Sequence, residues 1–432
     1  MAKRRRGNSQ AKIPKHYGIL CADAHGNFWD EPELIGLGRT AQGVRLPRPE
    51  ELSPLPEGAQ LQFLPGCHPL VRTSENGADL VAEECWAMAA QLPSGWTRTL
   101  LPAWEKADGA SDLPIFGYTA VFCRGGQLYA AAYQTEDNPH WRPRDYARPD
   151  LPKLIADCMR RYPHNRLYKH LQICACDYGC YNAQNIFYGR WEGAAPSSPV
   201  CNAGCQGCIS YQPAGRPPSP QVRLRFVPSA AEIAEIGVRH LAHPQAIYSF
   251  GQGCEGEPLL QADTIAAAIK IMRTATPAGA VHMNTNGSRP EAAKEVFAAG
   301  LDSLRVSMNS VLPDSYNAYY RPRGYKMEDV WETVREARKR GLWVSINWLC
   351  LPGLNDSSAE TEAMIDFVRE YDVNMIQLRN LNMDPDMLLP ELPQPTGTIL
   401  GVTAMIKRLR EAVPQLRIGC HNPYKPLTLS LT

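Results

Sequence analysis

Residues 280–300 read AVHMNTNGSRPEAAKEVFAAG. A short apolar run at 280–283 leads into the polar turn Asn284-Thr285-Asn286-Gly287. A helix start follows. Ser288 and Glu291 stand at capping-box spacing, Pro290 falls in the first turn, and Gly300 ends the helix. This is one strand–loop–helix unit, and the same texture repeats on both sides of it. Strand-like runs lie at 246–250, 304–307, 343–348 and 375–378, and a further short strand is expected ahead of Cys201. Amphipathic stretches separate them. Ser229 with Glu232 opens a helix carrying Ile233, Ile236 and Leu241, and Asp263 caps one with the stripe Ile265, Ala268, Ile269, Met272. Val330, Val334 and Ala337 mark another, closed by Gly341, and Met364, Val368 and Tyr371 mark one more. Six β/α units with short connections predict a parallel sheet. The count falls short of eight, so the expected fold class is α/β, a partial (β/α)6 TIM-like barrel over 196–382. A doubly wound sheet is the alternative. A helix at 399–411 and a strand at 416–418, within an extension spanning 383–432, are expected to close this core.

The chain ahead of the core reads differently. Residues 13–150 lack helical periodicity and break into short strands at 18–21, 60–64 and 97–101, with a hairpin of 115–123 and 127–133 around Arg124-Gly125-Gly126. An additional β-rich N-terminal domain is expected there. Residues 136–152 are Pro-rich and polar and read as a linker, and 151–195 form a cysteine-containing connecting segment with a short helix. Residues 1–12 read as a basic disordered tail.

Composition narrows the function classes. Of 432 residues, 45 are Lys or Arg and 44 are Asp or Glu, a net charge of +1. That balance gives no global electrostatic case for nucleic acid or an anionic membrane as the main partner. No stretch approaches the roughly 18 to 20 apolar residues that span a bilayer. The basic opening, MAKRRRG, is not followed by an apolar run, so a cytoplasmic protein is expected. In a reducing compartment the 14 cysteines are thiols rather than a disulfide framework.

Three of those thiols carry the strongest chemical signal. Cys201-Asn202-Ala203-Gly204-Cys205-Gln206-Gly207-Cys208 is a C-x3-C-x2-C run placed after the first predicted strand. Soft thiolates select iron–sulfur or zinc centres over Mg or Ca. A [4Fe–4S] cube ordinarily takes four protein thiolates, so three leave one iron open to a ligand; a structural zinc site would need a fourth Cys or His. Polar or Gly-rich residues also end each predicted strand. They are Gly251 to Pro258, Asn284 to Gly287, Ser307 to Ser310, Asn347 to Cys350, and Gln377, Arg379 and Asn380. In a parallel barrel these open on one rim, where active sites form. Arg321, Arg323 and Tyr325 make a basic-aromatic loop after the fourth strand, read either as a solvated loop or as a holder of an anionic group.

With those residues in view, the segment 196–382 resembles the radical S-adenosylmethionine (SAM) superfamily. Cys201, Cys205 and Cys208 match its cluster motif. Gly256-Glu257-Pro258 matches the end of its GGEP motif, with Cys254-Glu255 standing before it, and Thr285-Asn286-Gly287 matches its TNG element. Val306-Ser307 resembles a family strand end, and 347–356 is similar to the fifth strand and following loop of molybdenum-cofactor cyclases. The pattern is also similar to glycyl-radical activating enzymes. Gly207 stands where the family commonly has an aromatic residue. The resemblance implies a [4Fe–4S] cluster on the three cysteines. It also implies SAM bound at Gly256, Glu257, Thr285 and Ser307, and reductive cleavage to a 5′-deoxyadenosyl radical that abstracts hydrogen from a substrate. A reductant such as flavodoxin or ferredoxin is implied as partner, and the substrate is a protein or peptide, or a small cofactor precursor. The rival reading is a non-enzymatic zinc or iron–sulfur regulatory or assembly module.

Cys174, Cys176 and Cys180 form a second set, C-x-C-x3-C. One reading is a second iron–sulfur or zinc site, its fourth ligand drawn from Cys158, Cys254, Cys350 or Cys420. The other is a group of buried thiols.

Overall fold

The computed structural model describes residues 16–424, so the basic tail expected at 1–12 lies outside the described residues. Two compact units partition the chain. One contains the residues up to Asp137 with Cys350–Glu362 and Arg379–Ala412; the other contains Asn138–Leu349, Ala363–Leu378 and the residues from Val413 onward.

The first unit is β-rich. Its strand Gly18–Ala22 pairs antiparallel with Phe28–Gly36, Trp86–Gln91 and Thr119–Arg124, at the heart of a ten-stranded sheet. The expected hairpin forms, with Arg124 opposite Gln127. Gly125 and Gly126 both take positive φ, 59° and 76°, which the tight primed turns require and glycine adopts without a Cβ clash. The single strand expected at 97–101 is instead two, Trp96–Arg98 and Leu101–Pro102, which join different sheets.

The second unit holds the parallel sheet. Its seven strands follow chain order: Glu192–Ala194, Ile247–Phe250, Ala280–Thr285, Ser303–Met308, Trp343–Cys350, Met375–Asn380 and Arg417–Gly419. Ile247 faces Ala280, Thr285 faces Val306, Ser307 faces Asn347 and Met375 faces Arg417, all in parallel register. The order never reverses, so the doubly wound alternative is excluded.

Alternation along the strands explains the curl. Tyr248 and Val306 point at helices: the Tyr248 hydroxyl donates to the Ile233 carbonyl at 3.0 Å, and Val306 meets Val330 around Gly287. The opposite parity is polar. Ser249 and Asn422 both donate to Glu192 Oε1, at 2.7 and 2.9 Å, and Gln377 Nε2 donates to Asn422 Oδ1 at 2.7 Å. Arg305 donates to Gln377 Oε1 at 2.8 Å, and the His282 ring bonds Ser303 and Asn284. The Asn422–Glu192 bond joins a residue three past the last strand to the first strand, so the sheet rolls toward itself as a partial barrel with a hydrogen-bonded polar inner face.

Helix ends follow local rules except where a tertiary partner intervenes. The Ser229/Glu232 capping box is present: Ser229 Oγ accepts the Glu232 amide at 3.2 Å, and Glu232 accepts the Ser229 amide at 2.8 Å. The helix Ala262–Ala275 starts after Gln261, with Asp263 in its first turn rather than at its cap. There the carboxylate still faces the positive helix end. The helix Pro290–Ala298 begins after Arg289, because the Ser288 hydroxyl accepts from Asn202 Nδ2 at 2.9 Å instead of capping.

Residues 138–195 are more ordered than a linker and one short helix. Pro139 and Pro143 open two short turns, and three helices follow, Leu151–Arg161, Arg166–Cys176 and Tyr181–Tyr188. Aromatic burial accounts for this: Tyr146 stacks on Tyr181 at 3.6 Å and Trp141 on His421 at 5.0 Å. Among the described residues, no helix is long and apolar enough to cross a membrane.

Candidate functional site

The loop 201–208 is held in shape by a short antiparallel clasp. Gly204 and Gln206 amides donate to the Tyr320 and Tyr319 carbonyls at 2.9 and 3.0 Å, the Arg323 amide donates to the Asn202 carbonyl at 2.8 Å, and Ala203 bridges Pro322. The backbone of the basic-aromatic segment 321–325 therefore braces this loop, while Arg321 and Arg323 are exposed to solvent. Its Tyr325 is buried, with its hydroxyl 3.2 Å from that of Tyr316.

Cys201, Cys205 and Cys208 are half-buried and converge electrostatically. Burial, reinforced by Cys201 and Cys208, pushes the Cys205 thiol well above the usual range. Burial followed by the Glu257 carboxylate raises Cys201 to about 11. Thiols so disfavoured as anions need a cation to hold them as thiolates, the situation of a metal ligand. The three do not fall among the groups whose ligand atoms lie within 4.8 Å of one another. Arg223, from a segment with no sequence signal, donates to Cys208 Sγ at 3.4 Å and to Ser210 Oγ at 3.2 Å.

Gly256 and Glu257 lie against the start of this loop. Their amides donate to the Ser198 and Val200 carbonyls, both at 2.7 Å. A Cβ on Gly256 would stand 1.9 Å from the Val200 oxygen, so only glycine permits this approach. The Glu257 carboxylate is buried. It accepts from the Leu259 amide at 2.9 Å, the Asn286 amide at 2.8 Å and the Thr285 hydroxyl. Burial outweighs these donors and lifts its pKa to about 7. Thr285 thus meets Glu257 directly, and Asn286 Nδ2 donates to Asn202 Oδ1 at 2.8 Å, tying the third strand end to the cysteine loop. Ser307 is half-buried one strand further on, beside Asn347, whose Oδ1 is buried without a hydrogen-bond partner.

Two features were not legible beforehand. Glu255, which stands where the family pattern has glycine, is a buried buckle. Its Oε2 accepts from the Ser197 amide and hydroxyl and the Ser198 amide, and its Oε1 from the Gly251 and Gln252 amides, at 2.6–3.0 Å. Tyr319 is a buried aromatic residue whose carbonyl accepts from the Gln206 amide at 3.0 Å, next to position 207. Neither contact has a local sequence signature.

The second cysteine set is rearranged. Cys176 is exposed, Cys174 is buried on the helix Arg166–Cys176, and Cys180 caps the next helix. The group that comes together is His170, Cys174 and Cys254. Cys158 lies elsewhere, within 3.1 Å of Arg239 Nη1, and Cys420 donates to the Leu378 carbonyl at 3.6 Å.

The family model of the Radical SAM superfamily matches residues 196–368. A probable GTP 3′,8-cyclase of Methanosarcina acetivorans is 28% identical over 231 residues, covering 50% of this chain and 60% of that protein. A probable GTP 3′,8-cyclase of Methanosarcina mazei is 30% identical over 198 residues, covering 43% of this chain and 54% of that one. The chain thus spans little more than half the length of the curated relatives it matches. The crystal structure of HydG, a maturase of the [FeFe]-hydrogenase, overlaps 62% of each chain at 16% identity with a TM-score of 0.39. The segment 196–368, with its three cysteines in the loop ahead of the second barrel strand, is thus similar to the Radical SAM superfamily.

Proposed function

We propose that this chain is a radical SAM enzyme in which Cys201, Cys205 and Cys208 hold a [4Fe–4S] cluster and Gly256, Glu257, Thr285 and Ser307 line the SAM site. The observation that carries the reading is the junction of the two loops. Three half-buried thiols share one short loop beside the buried Glu257, whose charge, after burial, raises the Cys201 thiol. The chemistry supplied there is one-electron reduction of SAM, which releases methionine and a 5′-deoxyadenosyl radical able to take hydrogen from a substrate. The residues do the rest. The backbone clasp of 319–323 fixes the cysteine loop. Glu257, oriented by Thr285 and Asn286, presents a carboxylate to the ammonium of SAM. The orphaned Asn347 oxygen beside Ser307 offers an acceptor for the nucleoside.

The polar inner face of the barrel favours a polar small molecule over a folded protein as substrate. Relatives named GTP 3′,8-cyclases fit that choice, with a nucleotide as the first compound to try. A one-electron donor protein of the flavodoxin or ferredoxin kind is the matching partner. The rival, a zinc-only module, requires the three thiols to close on one ion. The test is anaerobic reconstitution followed by dithionite and SAM. About four iron atoms per chain and formation of 5′-deoxyadenosine support the reading. A colourless protein that retains zinc on Cys201, Cys205 and Cys208 refutes it.

A further inference from the structure

His170 and Cys174 sit four residues apart on the helix Arg166–Cys176, one turn, so both leave the same face. Cys254 arrives at that face from the loop after the second barrel strand. A ring nitrogen of His170 and the sulfurs of Cys174 and Cys254 all lie within 4.8 Å of one another, the single such grouping among the described residues. Both cysteines are buried. The Nε2 of His170 is buried too and has no hydrogen-bond partner. An unmet buried polar group costs about 1–3 kcal/mol, so a half-buried imidazole beside two thiols is poor packing unless something binds it.

Ligand type and spacing say what binds. Imidazole with thiolate is a zinc donor set. Donors on one ion at about 2.0–2.3 Å stand no more than about 4.6 Å apart. A cube would attach each sulfur to a different iron and spread them. We propose that His170, Cys174 and Cys254 bind one zinc ion, at a site separate from Cys201, Cys205 and Cys208. Cys176 has no part in it, being exposed.

The position gives the ion a task. Cys254 lies three residues before Glu257, and the segment between them contains Glu255, which straps residues 197–198 to 251–252. A zinc ion here pins the helix Arg166–Cys176 to the loop that carries both carboxylates. It is a structural pin, separate from the proposed radical chemistry.

The full chain, purified anaerobically, is assayed for zinc and iron by mass spectrometry. The same is done for C201A/C205A/C208A, H170A, C174S and C176S. One zinc per chain is expected in the wild type, in the triple variant and in C176S, with a drop of at least tenfold in H170A and C174S. Iron is expected to vanish in the triple variant alone, so the two metal readings fail separately. Should H170A or C174S not fold, the wild-type chain is stripped with chelator and titrated with Co²⁺ alone. Thiolate-to-cobalt charge transfer with tetrahedral d–d bands at one equivalent supports the site. Absence of both zinc and these bands overturns it. So does a Cys174–Cys254 disulfide in the freshly purified protein, or zinc that departs with Cys201, Cys205 and Cys208.

Discussion

Two thiol groups in the second unit make an instructive pair. Cys201, Cys205 and Cys208 are neighbours in sequence yet spread in space, while His170, Cys174 and Cys254 are scattered over 85 positions yet packed to within 4.8 Å. In the first, one loop clasped by residues 319–323 carries all three sulfurs. In the second, a helix face and a strand-end loop press them to a point. Sequence spacing announces the first kind of centre and is silent about the second.

The sharpest way to break the comparison is at the spread group. Cys201→Ala, Cys205→Ala or Cys208→Ala is expected to abolish 5′-deoxyadenosine formation and cut iron from about four atoms to near zero, as measured by product chromatography and iron assay. Retained turnover in any of them would erase the distinction between the groups. Next in size is Gly256→Ala. Its Cβ would meet the Val200 backbone, the oxygen at 1.9 Å and the carbonyl carbon at 2.4 Å, so a loss of about 3 kcal/mol or failure to fold is expected in thermal or urea unfolding.

Glu257 probes the seam beside the spread group. Its folded pKa is raised from 4.5 to about 7. Between those values the folded chain binds a proton that the unfolded chain has lost, so this group's stabilising contribution is full below pH 4.5 and falls as pH rises to 7. The linkage amounts to about 3 kcal/mol. Glu257→Gln is expected to remove that slope from the pH dependence of Tm in the ligand-free protein and to weaken SAM binding about tenfold, roughly 1.4 kcal/mol, by calorimetry. A pH profile unchanged in the variant would detach Glu257 from the site. Ser229→Ala, away from both groups, removes a capping box and should cost about 1 kcal/mol. Cys176→Ser is the smallest: at an exposed position, stability should stay within about 0.5 kcal/mol. A larger effect would return Cys176 to the compact group.

The barrel was legible because its signals are local. The Ser229/Glu232 box, the glycine stops at Gly300 and Gly341 and the period of Ile265, Ala268, Ile269 and Met272 each act within a turn or two of chain. Where a distant group competed, the local rule gave way: Ser288 became a partner of Asn202 instead of a cap. The order of the aromatic segment 138–195 is hidden from local rules for the same reason, since Tyr146 stacks on Tyr181 and Trp141 on His421.

The amino-acid order by itself settled the β/α rhythm, the three-cysteine loop and the strand ends on which that loop's neighbours fall, because periodicity and short spacings act through the covalent chain. The meeting of His170 with Cys254, the five bonds of Glu255 and the clasp of Tyr319 and Tyr320 on the cysteine loop were decided only by the register of parallel strands and the packing of helices on them. Those contacts depend on the summed placement of dozens of intervening residues, which no short window of sequence encodes.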